Sequence, residues 1–401
     1  MIKHLLKLVW NRKRINFLIT VEIFISFIVL FLVMLIAVYF GDNYRRPLGF
    51  NYEHVWNVKI EASSESDAAG TVELLMRTVK EFDEVESLAT AKYTPYGNSH
   101  SRSGINDKGN IIMFDINDVS DDYNQAMGLT ITRGRWFGKE DDGAQYRPLL
   151  INEWLAHEVF GDADPIGKPL RSPGDTNDAG YRVNESRPGR IVGVITDFRQ
   201  EGEYSGLGGY VIERQDFGEE MRYPPGNLMI KVRPGVTAAF EEKLIKRLQA
   251  IAKDWSFEIE RVSEMRESAN QIRLAPLVAG ALVAGFLMIM VALGLTGVLW
   301  QNVTQRTKEI GLRRAKGATA RRIHRQILAE LLIIATAGLG AGVAVVAQFP
   351  LLDLIGFISR EVYATSILIS LAVIYALTIV CGLYPSWMAT KVQPAEALHY
   401  E

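Results

Sequence analysis

The chain has 401 residues, with 44 Lys and Arg against 46 Asp and Glu, one Cys and 48% hydrophobic residues. A single Cys excludes an intramolecular disulfide and a Cys-rich zinc module. A near-neutral total excludes a global basic footprint for nucleic acid, and 22% charged with 10% aromatic residues excludes a disordered chain.

The elements follow in chain order. In the first 14 residues Ile2, Leu5, Leu6 and Val9 share a helical face that Lys3 and Lys7 avoid, which reads as an amphipathic helix lying in the lipid interface. Residues 15–40 are apolar with Glu22 as the only charge. A spanning helix needs about 20 such residues. The stretch exceeds the about 7–15 residues of a signal-peptide core, and no small-x-small cleavage site follows, so it reads as a retained anchor.

Residues 41–273 form a large domain with 39 acids and 29 bases, a net of −10. Residues 54–62 (HVWNVKIEA) alternate as a strand does, residues 67–82 place Val72, Leu75, Met76 and Val79 at helical spacing, and residues 85–93 read as a second strand. The order recurs at 227–233 (strand), 236–253 (helix with Phe240, Leu244, Leu248 and Ile251 on one face) and 255–262 (strand). Two βαβ units imply one split α/β layer, about 50–95 and 226–265. Between them lies a β-rich lobe, about 110–222, with candidate strands at 111–116, 148–152, 190–198 and 210–213. It also holds a short helix at 152–160 with Asn152 as N-cap, and a Gly-, Pro-, Asn- and Ser-rich loop at 171–189.

Residues 274–300, 331–352 (with a lead-in from 327) and 362–384 are three further apolar stretches without a charge. Small residues at helical spacing mark packing positions: Gly280, Ala284 and Gly285 in the second span, and Gly338, Gly340 and Gly342 in the third, where Gly338 and Gly342 form a G-x-x-x-G pair. The N-terminal tail carries five Lys and Arg, the 301–326 connection eight, and the last connection only Arg360. The positive-inside rule therefore places both basic segments and the C-terminus in the cytoplasm, and Trp10, Trp300 and Trp387 sit at the cytoplasmic ends of spans. Glu22 and Glu330 read as interhelical hydrogen-bonding or lip residues rather than an ion relay, because spans two and four carry no charge to continue one. The expected fold is a membrane α-helical protein of four transmembrane helices, with a large α+β extracytoplasmic domain inserted between helices 1 and 2.

Catalytic motifs are missing. There is no G-x-x-x-x-G-K-[ST], no H-E-x-x-H and no G-x-S-x-G; the six histidines are scattered, and Cys381 lies inside the fourth span. The sharpest pattern is residues 301–326, QNVTQRTKEIGLRRAKGATARRIHRQ. It reads as a helix continuing from span two, broken near Gly317, with Thr319 capping the next helix. Topology and anionic lipid explain the charge. They do not explain Ile310, Leu312, Ala315 and Ile323 among the cations, which fit a docking surface.

The run Arg306-Thr-Lys-Glu-Ile-Gly-Leu-Arg-Arg-Ala-Lys-Gly-Ala318 closely resembles the cytoplasmic signature of MacB/FtsX-type ABC transporter permeases. Leu150-Ile-Asn-Glu153, Val159-Phe-Gly-Asp-Ala-Asp-Pro-Ile-Gly-Lys168 and Ile191-Val-Gly-Val-Ile-Thr-Asp-Phe198 resemble that family's extracytoplasmic core domain, and Tyr384-Pro385 with Pro394-Ala-Glu-Ala-Leu398 its C-terminal tail. The resemblance implies a non-catalytic subunit of a bacterial inner-membrane transporter. ATP and Mg²⁺ are then bound by a separate ABC ATPase, docked through Arg306, Glu309, Ile310, Gly311, Arg313, Arg314 and Gly317. It also implies a dimer with a second copy or a paralogue, contact with membrane lipid, and room for a periplasmic adaptor and an outer-membrane channel. The implied activity is mechanotransmission for efflux from the periplasmic side; the alternative is FtsX-like regulation of an envelope enzyme. His399 departs from the family's tail, where Arg is common.

Overall fold

The computed structural model describes residues 13–62, 68–107, 110–170, 188–215, 225–305, 310, 312, 316, 318–352, 356 and 358–390. The expected interfacial helix before Lys13, the 171–189 loop up to residue 187 and the tail from 391 lie outside the described residues. The chain divides into two compact units, Met1–Asp42 with Leu274–Glu401, and Asn43–Arg273.

Four helices, which supply the first unit but whose ends at Asn43–Tyr44 and Val262–Arg273 belong to the second, are long and apolar enough to cross a membrane. They are α1 (Lys13–Tyr44) and the helices numbered after the external elements below: α6 (Val262–Gln305), α7 (Ala320–Val346) and α9 (Arg360–Thr390). Two of them outrun their apolar stretches. Helix α6 begins twelve residues before Leu274, and α9 continues through Pro385. At the C-terminal end of α7, Ala347 separates it from a short α8 (Gln348–Leu351), which contains Pro350. The bundle core is set by α1, where Ile19, Ile23, Phe27 and Phe31 recur every four residues, meeting Leu331, Ile334, Ala335 and Leu339 of α7. The apolar windows of α1 and α7 are 39% buried within the chain and that of α6 only 11%, so α6 gives most of its apolar surface to its surroundings.

The second unit comprises β1 (Val55–Glu61), α2 (Ala68–Lys80), β2 (Val85–Ala91), β3 (Ser101–Asp107), β4 (Asn110–Val119), α3 (Tyr123–Met127), β5 (Ile131–Gly134), β6 (Arg147–Asn152), α4 (Glu153–Phe160), β7 (Gly189–Ile195), β8 (Gly209–Arg214), β9 (Asn227–Val232), α5 (Ala238–Ile251) and β10 (Ser256–Arg261). Among the described residues the strands form one sheet in the order β10-β1-β9-β2-β4-β8-β6-β7-β5, with β3 paired to β4. The two βαβ units interleave: β9 lies between β1 and β2, and β1 between β9 and β10, each pair antiparallel. Alternation along the strands explains the layer beneath the helices. Trp56, Val58 and Ile60 of β1 and Leu228, Ile230 and Val232 of β9 point to one face. There they meet Val72, Leu75 and Val79 of α2 and Phe240, Leu244 and Leu248 of α5. Each such side chain contributes roughly 1.5–3 kcal/mol on burial.

The β-rich lobe is not a separate layer. Its strands continue the same sheet through one pair, Ala91 with Val119, and then run β4, β8, β6 and β7 with parallel β4–β8 and β6–β7 neighbours. Strands β3 and β5 were not expected; both are edge strands with few apolar residues.

Candidate functional site: the basic connection at 301–326 and its supporting helices

Six of the seven predicted coupling residues, Arg306, Glu309, Gly311, Arg313, Arg314 and Gly317, lie outside the described residues. The seventh, Ile310, is 6% exposed and packs with Val303 at the end of α6 and with Ile323 and Ile327 in the first turns of α7. This differs from the docking surface expected of Ile310 and Ile323. Both side chains are buried in this small cluster, while Leu312 stays 47% exposed. Thr319 caps α7 with its hydroxyl accepting from the Arg322 amide at 3.4 Å. The cap starts α7 beside the cations Arg321, Arg322 and Arg325.

Three of the expected packing glycines, Gly285, Gly338 and Gly342, have different surroundings. A β-carbon on Gly338 would stand 2.8 Å from the Thr20 carbonyl and 3.1 Å from Ile23, and one on Gly342 would overlap the Phe27 ring. The G-x-x-x-G pair thus admits the four-residue ladder of α1 at close range. Gly285 has open space around it, and Gly382 of α9 receives Leu328 and Leu331 of α7. The Glu22 carboxyl rests against Gly294 of α6, 2.7 Å from where a β-carbon would lie. Glu330 accepts from Gln326 on its own helix at 3.2 Å. Trp300 and Trp387 are about half exposed at their helix ends.

In the external unit, two of the family-like blocks meet. Asn152 Nδ2 donates to Asp197 Oδ1 at 3.1 Å and to the Gly208 carbonyl at 2.8 Å, while its Oδ1 accepts from the amides of Leu155 and Tyr210. The expected N-cap is therefore also the bond between the 150–153 and 191–198 blocks. The third block is tied in by Gly167, whose amide donates to the Ile191 carbonyl at 2.7 Å, and by the Ile191 amide, which donates to the Lys168 carbonyl at 3.0 Å.

Sequence reasoning missed the segment 199–205. It is polar and without period, and its partners lie far away in the chain. Arg199 and Glu203 are nevertheless 2% and 5% exposed.

Comparison with known proteins identifies both units. Residues 17–247 match the MacB-like periplasmic core domain, and residues 281–394 match the FtsX-like permease C-terminal domain. A macrolide export ATP-binding/permease protein MacB of Bdellovibrio bacteriovorus is 27% identical over 305 residues, covering 71% of this chain and 43% of that protein. The chain thus spans less than half the length of that relative. An uncharacterized ABC transporter permease of Bacillus subtilis, YvrN, is 28% identical over 300 residues, covering 71% of this chain and 69% of that one. The crystal structure of the periplasmic region of MacB from Actinobacillus actinomycetemcomitans aligns with 55% of this chain and 94% of its own, at 13% identity and a TM-score of 0.37. With four apolar helices and a periplasmic-type domain between the first and second, the chain belongs to the MacB/FtsX-type family of ABC transporter permeases.

Proposed function

We propose that the chain is the motion-relaying permease subunit of an ABC exporter in a bacterial inner membrane. Its termini and the 301–326 turn face the cytoplasm, and it works as a dimer with a second copy or a paralogue. A separate ATPase, which binds ATP and Mg²⁺, docks on the turn through Arg306, Glu309, Gly311, Arg313, Arg314 and Gly317. Closure of that ATPase displaces α6 and α7, and the external domain moves in response, expelling substrate from the outer side. A periplasmic adaptor and an outer-membrane channel would complete the export path.

The observation that carries this reading is the base of the turn. Ile310, Val303 and Ile323 close an apolar plug between the ends of two spanning helices. A basic segment mounted on such a plug delivers force to both helices, whereas a loose basic loop would serve topology or lipid binding alone. The export names carried by relatives support the same direction.

The test is capture of the ATPase by the tagged full chain from its host membranes. R313E/R314E should abolish capture while leaving the chain in the membrane, and I310D should weaken it. Undiminished capture by both variants would refute docking on this turn.

A further inference from the structure

Nothing in the sequence marks residues 199–205, yet Arg199, Glu201 and Glu203 bond to residues far away in the chain. Arg199 donates from Nη1 to the carbonyls of Asn43 (2.8 Å) and Arg46 (3.1 Å), and from Nη2 to those of Glu203 and Ser205. Asn43 lies in the last turn of α1, where carbonyls have no intrahelical partner and carry the negative end of the helix dipole. A guanidinium there is a C-terminal cap delivered from about 150 residues away in sequence. The same turn is held twice more, by Asn43 Nδ2 donating to the Tyr204 carbonyl at 3.5 Å and by Tyr44 stacked on Tyr204 at 5.7 Å.

The segment also grips the start of α6. The Glu203 carboxylate accepts from Arg266 and, at 3.3 Å, from the Tyr96 hydroxyl; the Arg266 guanidinium lies over the Tyr52 ring at 4.5 Å. Two turns further along α6, Arg273 Nη2 donates to Glu201 at 2.9 Å. Arg266 and Arg273 are seven residues apart and so share a helix face, matching two carboxylates two residues apart. The segment is pinned to the sheet by the Tyr96 amide, which donates to the Gln200 carbonyl at 2.8 Å. It is also pinned by Gly202, whose φ of +97° and closeness to the Tyr96 ring leave no room for a side chain.

We propose that residues 199–205 are a clamp that makes the outer ends of α1 and α6 move as one piece with the external sheet, with Arg199, Glu203 and Arg266 as the coupling residues. This rests on the relay reading above. The chemistry favours coupling over simple stabilisation. Apolar contacts would hold the same elements together without a buried charge, and replacing buried ion pairs by apolar side chains is often neutral or stabilising. A planar guanidinium bonded at once to a helix end and to a loop also permits no sliding between them, which apolar packing does permit. A relay needs that property.

The experiment uses the full chain with the ATPase that co-purifies from its host membranes. Hydrogen–deuterium exchange is followed over Ala238–Arg261 with and without a non-hydrolysable ATP analogue. The unmodified complex should change its uptake in that segment on adding nucleotide. E203Q and R266Q should retain the ATPase and its hydrolysis and lose the uptake change, whereas the conservative R266K should keep it. R199M, which cuts the α1 arm, should lose it as well; if R199M does not fold, the other variants decide. Persistence of the full change in E203Q and R266Q overturns the clamp and leaves the relay standing. Absence of any change in the unmodified complex, or failure to recover an ATPase, overturns the relay and the clamp with it.

Discussion

Asn152 and Asp197, 45 residues apart, are joined by a 3.1 Å hydrogen bond, and Asp197 also accepts from the Trp154 amide at 2.8 Å. One carboxylate oxygen and one side-chain amide thus fix the end of β6, the start of α4 and the turn after β7. Asn152 is 1% exposed and uses both ends of its amide. Asn152→Ala leaves the Gly208 carbonyl and the Tyr210 amide without their partner and removes the α4 cap. It should destabilise the external unit by about 2–4 kcal/mol. Thermal unfolding of the detergent-solubilised full chain, followed by tryptophan fluorescence, would read this as a lower midpoint; an unchanged midpoint would contradict it.

Two buried carboxyls predict opposite responses to pH. Glu213 of β8 sits beside Asp118 of β4, with Arg147 at 3.3 Å, and burial pushes its carboxyl up to about 7, with Asp118 adding to the rise and Arg147 opposing it. The native state therefore holds a proton that the unfolded chain releases near its ordinary value of 4.5. Stability from this site is full below that value and is lost as pH rises toward 7, by up to roughly 3 kcal/mol. Glu213→Gln should flatten that fall in a pH series of unfolding midpoints.

Asp141 behaves in the other sense. Its carboxylate takes Arg135 through two nitrogens, at 2.8 and 2.6 Å, and the Gly138 amide at 3.1 Å, and the Arg135 guanidinium holds it below the usual carboxylate range. Its contribution is present above the unfolded value and is lost as pH falls through the lowered one. Asp141→Asn should therefore cost stability at neutral pH and remove part of the acid sensitivity, which the same pH series would show.

The membrane glycines give a matched pair of expectations. Gly338→Val and Gly342→Val push side chains into Thr20, Ile23 and the Phe27 ring, and should cost about 1–3 kcal/mol through overpacking. Gly285→Val and Gly340→Val meet open space within the chain. Thermal aggregation of the chain in detergent should separate the two pairs, with only the first shifted downward.

Much of this architecture is legible in composition and period. The four spans are runs of apolar residues that no soluble helix needs, and Val72, Leu75, Val79 and Phe240, Leu244, Leu248 announce their faces by spacing alone. Other parts carry no local signal. Strand β3 (Ser101–Asp107) is polar and belongs to the sheet only because β4 offers it a ladder. The first turns of α6, with Glu264, Arg266 and Glu267, look like a charged linker and are helical as the outward continuation of a spanning helix. At the turn, the apolar residues among the cations are easy to see, but whether they face a partner or one another depends on where two distant helices end. The clamp at Arg199 is least legible, since a buried charge is specified by partners that no window of sequence contains.

The pairing of β1 with β10 has a mechanical meaning. Trp56, near the start of β1, is opposite Arg261, the last residue of β10, and the Arg261 guanidinium lies over the Trp56 ring at 5.5 Å. Helix α6 begins at the very next residue, Val262. Under the relay proposed above, load carried by the two helices enters this ladder at one end, on neighbouring strands. A common pull then translates both strands together, whereas any difference between the two pulls falls first on the rung Trp56–Arg261.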